Sequence, residues 1–242
     1  MSDDTSSDIS RPAGGSRPSA LVTGASRGIG LAIARRLADT HHILVGGRGQ
    51  AAVAAVVAEL PSAEPFVCDL DDEQAVASAV ADITSLDVLV HSAGIAASGR
   101  VDEAERDTWR RVYETNVVAV AGLTRLLLPA LRAARGQVVT INSGSGFNSG
   151  PGGGPYSASK FALRALTDAL REEERGKVRV SSVHPGRVDT DMQVDLQAQL
   201  GRPYVAAEHL RPESVAEAVA LAVYASPEAM VEQVSIRPVF KA

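Results

Sequence analysis

Cysteine is nearly absent from this chain. The one thiol among 242 residues, Cys68, cannot close an intrachain disulfide and follows an apolar run, so it reads as a buried structural group in a reducing compartment. Surplus positive charge is missing too: 24 Lys and Arg stand against 29 Asp and Glu, a formal net charge of −5 with a pI near 5.6. Composition therefore offers no basic surface for a phosphate backbone, and nucleic acid is not an expected partner. Residues 1–18 are mostly Ser, Asp, Gly and Pro around one branched apolar residue, Ile9. They lack the apolar stretch that a signal peptide or a membrane span requires, so a disordered tail and a cytoplasmic protein without a membrane partner are expected. Metal-ligand spacing is lacking as well. His41, His42, His91, His184 and His209 include no pair set on one helical face with a glutamate, and no metal is expected.

What is present is an alternation. The chain is 45% apolar and 22% charged, enough to bury a sheet between helices, and residues 19–242 show no repeat and no second core, so one domain is expected. Short apolar runs at 20–23, 43–46, 65–68, 88–91, 137–142, 178–184 and 234–236 read as strands, mostly continuous in Val, Ile or Leu as strands buried on both faces are. Amphipathic stretches at 29–39, 51–60, 73–83, 109–134, 156–175 and 213–224 read as the helices between them. Asp72 and Thr108 are candidate N-caps, and Pro212 suits a first helical turn. The pattern predicts an α/β fold: a Rossmann-type, doubly wound sheet of about seven parallel strands with helices on both faces and the ligand crevice at the strands' carboxyl ends.

Thr23-Gly24-Ala25-Ser26-Arg27-Gly28-Ile29-Gly30 joins the first strand to the first helix. In that context glycines let backbone amides and a helix N-terminus approach a pyrophosphate. The spacing is Gly-x-x-x-Gly-x-Gly. With Asp69 after the third strand, His91-Ser92-Ala93-Gly94 after the fourth, Asn116, Ser143, Tyr156-x-x-x-Lys160 and Pro185-Gly186 after the sixth, the chain from Ser19 onward resembles the short-chain dehydrogenase/reductase family. The resemblance implies a nicotinamide cofactor lying on Gly24, Ser26, Gly28, Ile29 and Gly30, with Asp69 and Leu70 at the adenine and Ala93 and Gly94 near the ribose. It also implies that Pro185, Gly186, Val188 and Thr190 hold the nicotinamide end. His91-Ser92 stand where Asn-Asn is commoner, and His91 is read as structural.

The choice of cofactor is a question of charge. An NAD site needs a carboxylate after the second strand for the ribose hydroxyls, whereas a 2′-phosphate needs cations. Gly46-Gly47-Arg48 stands at that turn and Arg27 can approach from the glycine loop, so NADP(H) is expected.

Tyr156 and Lys160 are four apart in a helical pattern, which sets them on one face about one turn apart. Bringing a phenol with a pKa near 10 down to neutrality takes ~4 kcal/mol of preferential phenolate stabilisation. A lysine ammonium and the positive ring of an oxidised nicotinamide are the expected sources. By the resemblance, Tyr156 exchanges a proton with a carbonyl or alcohol oxygen, Lys160 also holds the nicotinamide ribose, and Ser143 holds the substrate oxygen, with Ser145 as its rival. Asn116, in Glu-Thr-Asn-Val-Val, bends the long fourth helix and positions a water behind the lysine. His184 is read as a packing or supporting residue.

The expected activity is therefore an NADP(H)-dependent oxidoreductase acting on a small carbonyl or alcohol. Two alternatives stay open: an NADP(H)-binding sensor or scaffold with little turnover, and an epimerase- or dehydratase-type relative. The filled catalytic positions weigh against the first, and the lack of room for an added substrate domain against the second. Met192, Leu196, Leu200 and Tyr204 are expected in a mobile lid, with residues 147–155 as the opposite wall. The family resemblance implies a homodimer or homotetramer pairing through 109–134 and 156–175, where Val117, Val118, Leu123 and Leu127 offer apolar faces.

Overall fold

The computed structural model describes residues 17–199, 201 and 203–239. Residues 1–16 of the expected tail and Leu200 of the expected lid lie outside them. Arg17 and Pro18 already belong to the fold: Arg17 donates to the Ala38 carbonyl at 2.9 Å, and the Pro18 carbonyl accepts from the His42 amide at 2.8 Å.

All seven expected strands form, with ends displaced by a residue or two at most: β1 (Ser19–Val22), β2 (His42–Gly47), β3 (Ala63–Val67), β4 (Val88–His91), β5 (Gln137–Ile141), β6 (Arg179–Pro185) and β7 (Gln233–Ile236). They make one parallel sheet in the order β3-β2-β1-β4-β5-β6-β7. The chain winds outward to β3 and then returns to lay β4 beside β1. That reversal parts the loops at the carboxyl ends of β1 and β4 and opens a crevice there.

Side chains alternate across the sheet, and each face has its own core. Val22, Val45, Val90 and Val139 pack toward α1 (Gly28–Leu37) and α8 (Pro212–Val223) through Ile33, Leu37, Val215 and Val219. Leu21, Leu44, Leu89 and Val138 pack toward α5 (Ala119–Ala134) and α6 (Gly154–Glu173) through Leu123, Leu127, Leu131 and Leu170. Each fully buried leucine contributes about 1.5–3 kcal/mol relative to exposure. Leu123 and Leu127, expected on an outer apolar face, thus belong to the core. The 3.6-residue period carries them to the sheet side and leaves Val118, 51% exposed, to face outward.

The other helices are α2 (Gln50–Glu59), α3 (Glu73–Val80), α4 (Arg106–Tyr113) and α7 (Asp191–Gln199). Asp72 caps α3 as expected, accepting from the amides of Gln74 and Ala75, and Pro212 opens α8. Thr108 caps nothing. Its own amide already bonds to the Glu105 carbonyl at 3.1 Å, so the helix begins earlier, at Arg106. The long fourth helix is also not continuous: a π-helical turn, Glu114–Val118, separates α4 from α5 and contains Asn116.

The segment expected to be a lid carries a helix, α7, and its base is clasped. Val188 and Leu210 form a parallel bridge, Asp189 and Leu210 share a 2.8 Å backbone bond, and the Tyr204 hydroxyl donates to Asp189 Oδ1. Partial burial and the neighbouring Asp189 carboxylate push the pKa of the half-buried Tyr204 phenol up to about 12.

Candidate active site

The crevice at the switch point is a cleft of about 800 Å³. Gly24, Ser26, Arg27, Gly28, Ile29 and Gly30 form one side, and Arg48, Asp69 and Leu70 close the far end. Ala93, Gly94 and Thr190 line the side that leads toward β5. The glycine turn owes its shape to close packing. Gly24 sits at φ +65° with an ideal Cβ 2.9 Å from the Ala93 Cα, and a Cβ on Gly30 would lie 2.2 Å from the Gly24 carbonyl oxygen. Neither position admits a side chain, so the backbone of the turn and the N-terminus of α1 are left accessible to a ligand, while the Ala25 amide is tied to the Gly46 carbonyl at 2.8 Å. Thr23, which the motif did not single out, locks this turn to the end of β4: its Oγ1 accepts from the amides of Ser92 at 3.0 Å and Ala93 at 3.1 Å. Arg48 is exposed and forms no ion pair among the described residues, while Arg27 reaches Asp191 of α7 at 3.3 Å.

Gly94 joins the cleft to the second cluster. A Cβ there would lie 3.1 Å from Asn116 Oδ1 and 3.9 Å from Lys160 Nζ. The π turn brings the buried Asn116 to that point, where its amide spans the backbone of Ile95, accepting from the N–H and donating to the C=O, both at 2.9 Å. Its Nδ2 also donates to Ser159 Oγ at 3.0 Å. Such turns recur where a helix is diverted for a functional residue. Lys160 is 5% exposed, donates to the Ile141 carbonyl at 3.0 Å, and stands 5.8 Å from the centroid of the Tyr156 ring. Ser143, two residues after β5, has its hydroxyl near enough to the Tyr156 phenol to favour the phenolate. The rival Ser145 instead gives its backbone N–H to Ser143 Oγ at 3.1 Å. A hydroxyl, a phenol and a buried amine therefore cluster behind Gly94, which lines the cleft of the glycine turn.

A family model described as short chain dehydrogenase matches residues 18–201. The chain belongs to the short-chain dehydrogenase family. Among its relatives, the bovine (Bos taurus) dehydrogenase/reductase SDR family member 11 is 31% identical, over 90% of this chain and 95% of that protein. The X-ray structure of an alcohol dehydrogenase from the archaeon Thermococcus sibiricus, complexed with 5-hydroxy-NADP, superposes with a TM-score of 0.85 at 27% identity, covering 93% of this chain and 98% of that one. A variant of actinorhodin polyketide ketoreductase with NADPH gives a TM-score of 0.81 at 30% identity, over 91% and 95% of the two chains.

The electrostatics of this dehydrogenase depart from the expectation that the lysine depresses the phenol. Burial is the largest influence on Tyr156 and pushes its pKa up, with the Ser143 hydrogen bond opposing it. Burial likewise pushes Lys160 down, to about 8. The ammonium is directed at the Ile141 carbonyl and stands 5.8 Å from the phenol ring centroid, and the expected depression drew on an oxidised nicotinamide as well as on the lysine.

Some expected site residues fall elsewhere. Val188 is buried under the α7 clasp, and Pro185 closes β6 beside β7, while Gly186 packs against Arg237 and Pro238. None of the three lines the large cleft, and neither do Asn116, Ser143, Tyr156 and Lys160, although Thr190 does. Phe147, expected in a substrate wall, is turned onto the His184 ring, centroids 4.4 Å apart, and does not line the cleft either. His91 is structural: it is 3% exposed, bonds Thr124 Oγ1 at 2.8 Å, and burial lowers its pKa to about 3. Arg211 and Glu213 line the cleft from the start of α8; their only sequence signal was proximity to Pro212. Cys68 is buried as expected, with its thiol pushed up by burial, yet it also lines the cleft beside Asp69.

Proposed function

We propose that this chain is an NADP(H)-dependent oxidoreductase that transfers hydride between the nicotinamide and the carbon of a small carbonyl or secondary alcohol, with Tyr156 as general acid and base. The observation that carries the reading is Gly94, which lines the glycine-turn cleft and packs against both Asn116 and Lys160. When bound, the nicotinamide supplies the hydride donor or acceptor.

The residues present fit such a cofactor. The turn at Gly24, Gly28 and Gly30 keeps side chains away from a pyrophosphate, and no carboxylate stands at the end of β2, where Arg48 is free to meet a 2′-phosphate. Arg27 is held by an exposed ion pair worth about 0.2–1 kcal/mol, little to give up for a phosphate. NADP complexes of the structural neighbours support the same choice. Ser143 accepts the Ser145 amide at 3.1 Å, which leaves its own proton for the Tyr156 oxygen or a substrate oxygen. Tyr156 holds its proton in the buried site and so donates it to a substrate oxygen. Lys160 and Asn116 lie behind it on the route by which that proton is replaced. We extend the reading to a homodimer or homotetramer paired through 109–134 and 156–175, where Val118 of the π turn and Phe161 of α6 are 51% and 42% exposed.

A panel of carbonyls with NADPH and of alcohols with NADP+, read by absorbance, tests the activity with Tyr156→Phe as control. Turnover by the wild type and its loss by at least about a hundredfold in the variant are expected. Undiminished turnover by Tyr156→Phe overturns the mechanism, and equal or better turnover with NAD(H) overturns the cofactor assignment.

A further inference from the structure

We propose that His184 is a positioning residue for Ser143: its imidazole grips the Ser143 backbone carbonyl and so fixes the turn that aims the serine hydroxyl at Tyr156. The proposal deepens the oxidoreductase reading and rests on it for what Ser143 does.

His184 lies near the end of β6 and is fully buried. Its Nδ1 stands 3.2 Å from the Ser143 carbonyl oxygen, and its Nε2 stands 2.8 Å from Ser182 Oγ. A backbone carbonyl only accepts, so Nδ1 carries the proton, and Nε2 must then accept from the Ser182 hydroxyl. The tautomer is thus dictated by the carbonyl, and the Ser182 hydroxyl adapts to it. The ring has little freedom to turn: Phe147 lies against it at 4.4 Å, the guanidinium of Arg164 covers Phe147 at 4.5 Å, and Arg237 donates to the His184 backbone carbonyl. Burial is the main influence lowering the imidazole's pKa, and the facing cations Arg164 and Arg237 add to it, while the bond to the Ser143 carbonyl and the Asp168 carboxylate oppose it.

What the imidazole grips is the start of a tight turn. The Ser143 carbonyl also accepts from the Gly146 amide at 3.0 Å, closing a single 3-10 turn over Gly144–Gly146. That turn holds the Ser145 amide 3.1 Å from Ser143 Oγ. On the other side, the Ser143 amide is taken by Asn142 Oδ1 at 2.9 Å. Both peptide groups of Ser143 are therefore tied to side chains. Its hydroxyl oxygen receives one N–H, which leaves the hydroxyl proton for the neighbouring phenol or a substrate oxygen. Removing the His184 donor leaves one buried lone pair of the carbonyl unmatched and releases the turn.

The test is a double-mutant cycle between His184 and Ser143 in the full chain, read as kcat and KM for a carbonyl that the wild type reduces. His184→Phe keeps the ring and removes the donor, and should lower kcat roughly tenfold with NADPH binding by fluorescence unchanged. His184→Asn, whose Nδ2–H reaches the position of Nδ1–H, should recover most of that loss. In a Ser143→Ala background, His184→Phe should change kcat by less than about twofold. Losses that multiply in the double variant, or an unchanged kcat in His184→Phe, overturn the proposal. Because a ring substitution inside the fold can impair folding, nitrogen NMR of the wild-type imidazole gives a reading independent of turnover. A neutral Nδ1–H tautomer from about pH 6 to about pH 9 is expected, and an Nε2–H tautomer overturns the assignment. Failure of the oxidoreductase reading would show separately, as activity surviving Tyr156→Phe.

Discussion

His91 makes the stability of this protein sensitive to acid. Its ring is 3% exposed, burial lowers its pKa to about 3, and in the unfolded chain it returns to about 6.5. Between those values the unfolded chain binds a proton that the folded one refuses, so stability falls as pH drops from about 6.5 toward about 3. Each unit is about 1.36 kcal/mol, so at about pH 4.5 the loss from this one residue is ~2.7 kcal/mol relative to neutral pH. His91→Asn restores the residue commoner in the family at this position and has no proton to take up in that range. At about pH 7 the variant should be less stable by about 1–2 kcal/mol, because the 2.8 Å bond to Thr124 and some packing are lost. Urea unfolding of both proteins at about pH 7 and about pH 4.5 separates the effects. The variant should lose ~2.7 kcal/mol less than the wild type between the two conditions, since every other titrating group cancels in the difference. Equal losses would refute the assignment of a neutral, buried His91.

Two further substitutions probe the cofactor cleft. Gly30→Ala sets a Cβ where only 2.2 Å separates it from the Gly24 carbonyl oxygen, so the turn must open; calorimetry should show lower stability by about 1–3 kcal/mol or more, and NADPH fluorescence no binding at concentrations that saturate the wild type. Unaltered binding would mean that the turn is not the phosphate cradle. Asp191→Asn releases Arg27 from its 3.3 Å ion pair, and at low salt should tighten NADP+ binding up to about fivefold while leaving NAD+ binding unchanged. Equal shifts for the two nucleotides would exclude Arg27 as a ligand of the 2′-phosphate.

The sheet was legible because buried parallel strands announce themselves as apolar runs, and all seven lie where the runs do. The glycine turn was legible because Gly24, Gly28 and Gly30 answer to steric demands that no other residue meets. Features built from backbone geometry were not. A π turn has the composition of the helices around it, so Asn116 read as a mid-helix oddity while the diversion at Glu114–Val118 stayed hidden. The α7 helix lies in a stretch with no clear amphipathic face and is held at its base by the Val188–Leu210 bridge, a contact between distant residues that local pattern does not encode. Leu123 and Leu127 were grouped with Val118 on one apolar face although the 3.6-residue period sets them on the opposite, sheet-facing side. Thr23 and His184 act on backbone groups of the neighbouring strand's loop, and their partners are fixed only when β1 meets β4 and β5 meets β6.

Burial acts on Tyr156 and Lys160 in one sense, toward the neutral form of each. The two effects differ in where they leave the pair at neutrality. A lysine lowered to about 8 is still charged near pH 7, whereas a phenol raised above its ordinary value is firmly protonated. The site therefore rests as a neutral acid beside a cation, the state that gives a proton to a carbonyl oxygen. Taking a proton from an alcohol needs the opposite state. For that, the phenolate must gain stabilisation that Lys160, bonded to the Ile141 carbonyl and 5.8 Å from the ring centroid, does not provide where it stands. The positive charge of an oxidised nicotinamide is the one contribution that arrives only with the cofactor for that direction. On the proposed oxidoreductase reading, the charge of the cofactor form that fills the cleft is what tips Tyr156 toward acid or base.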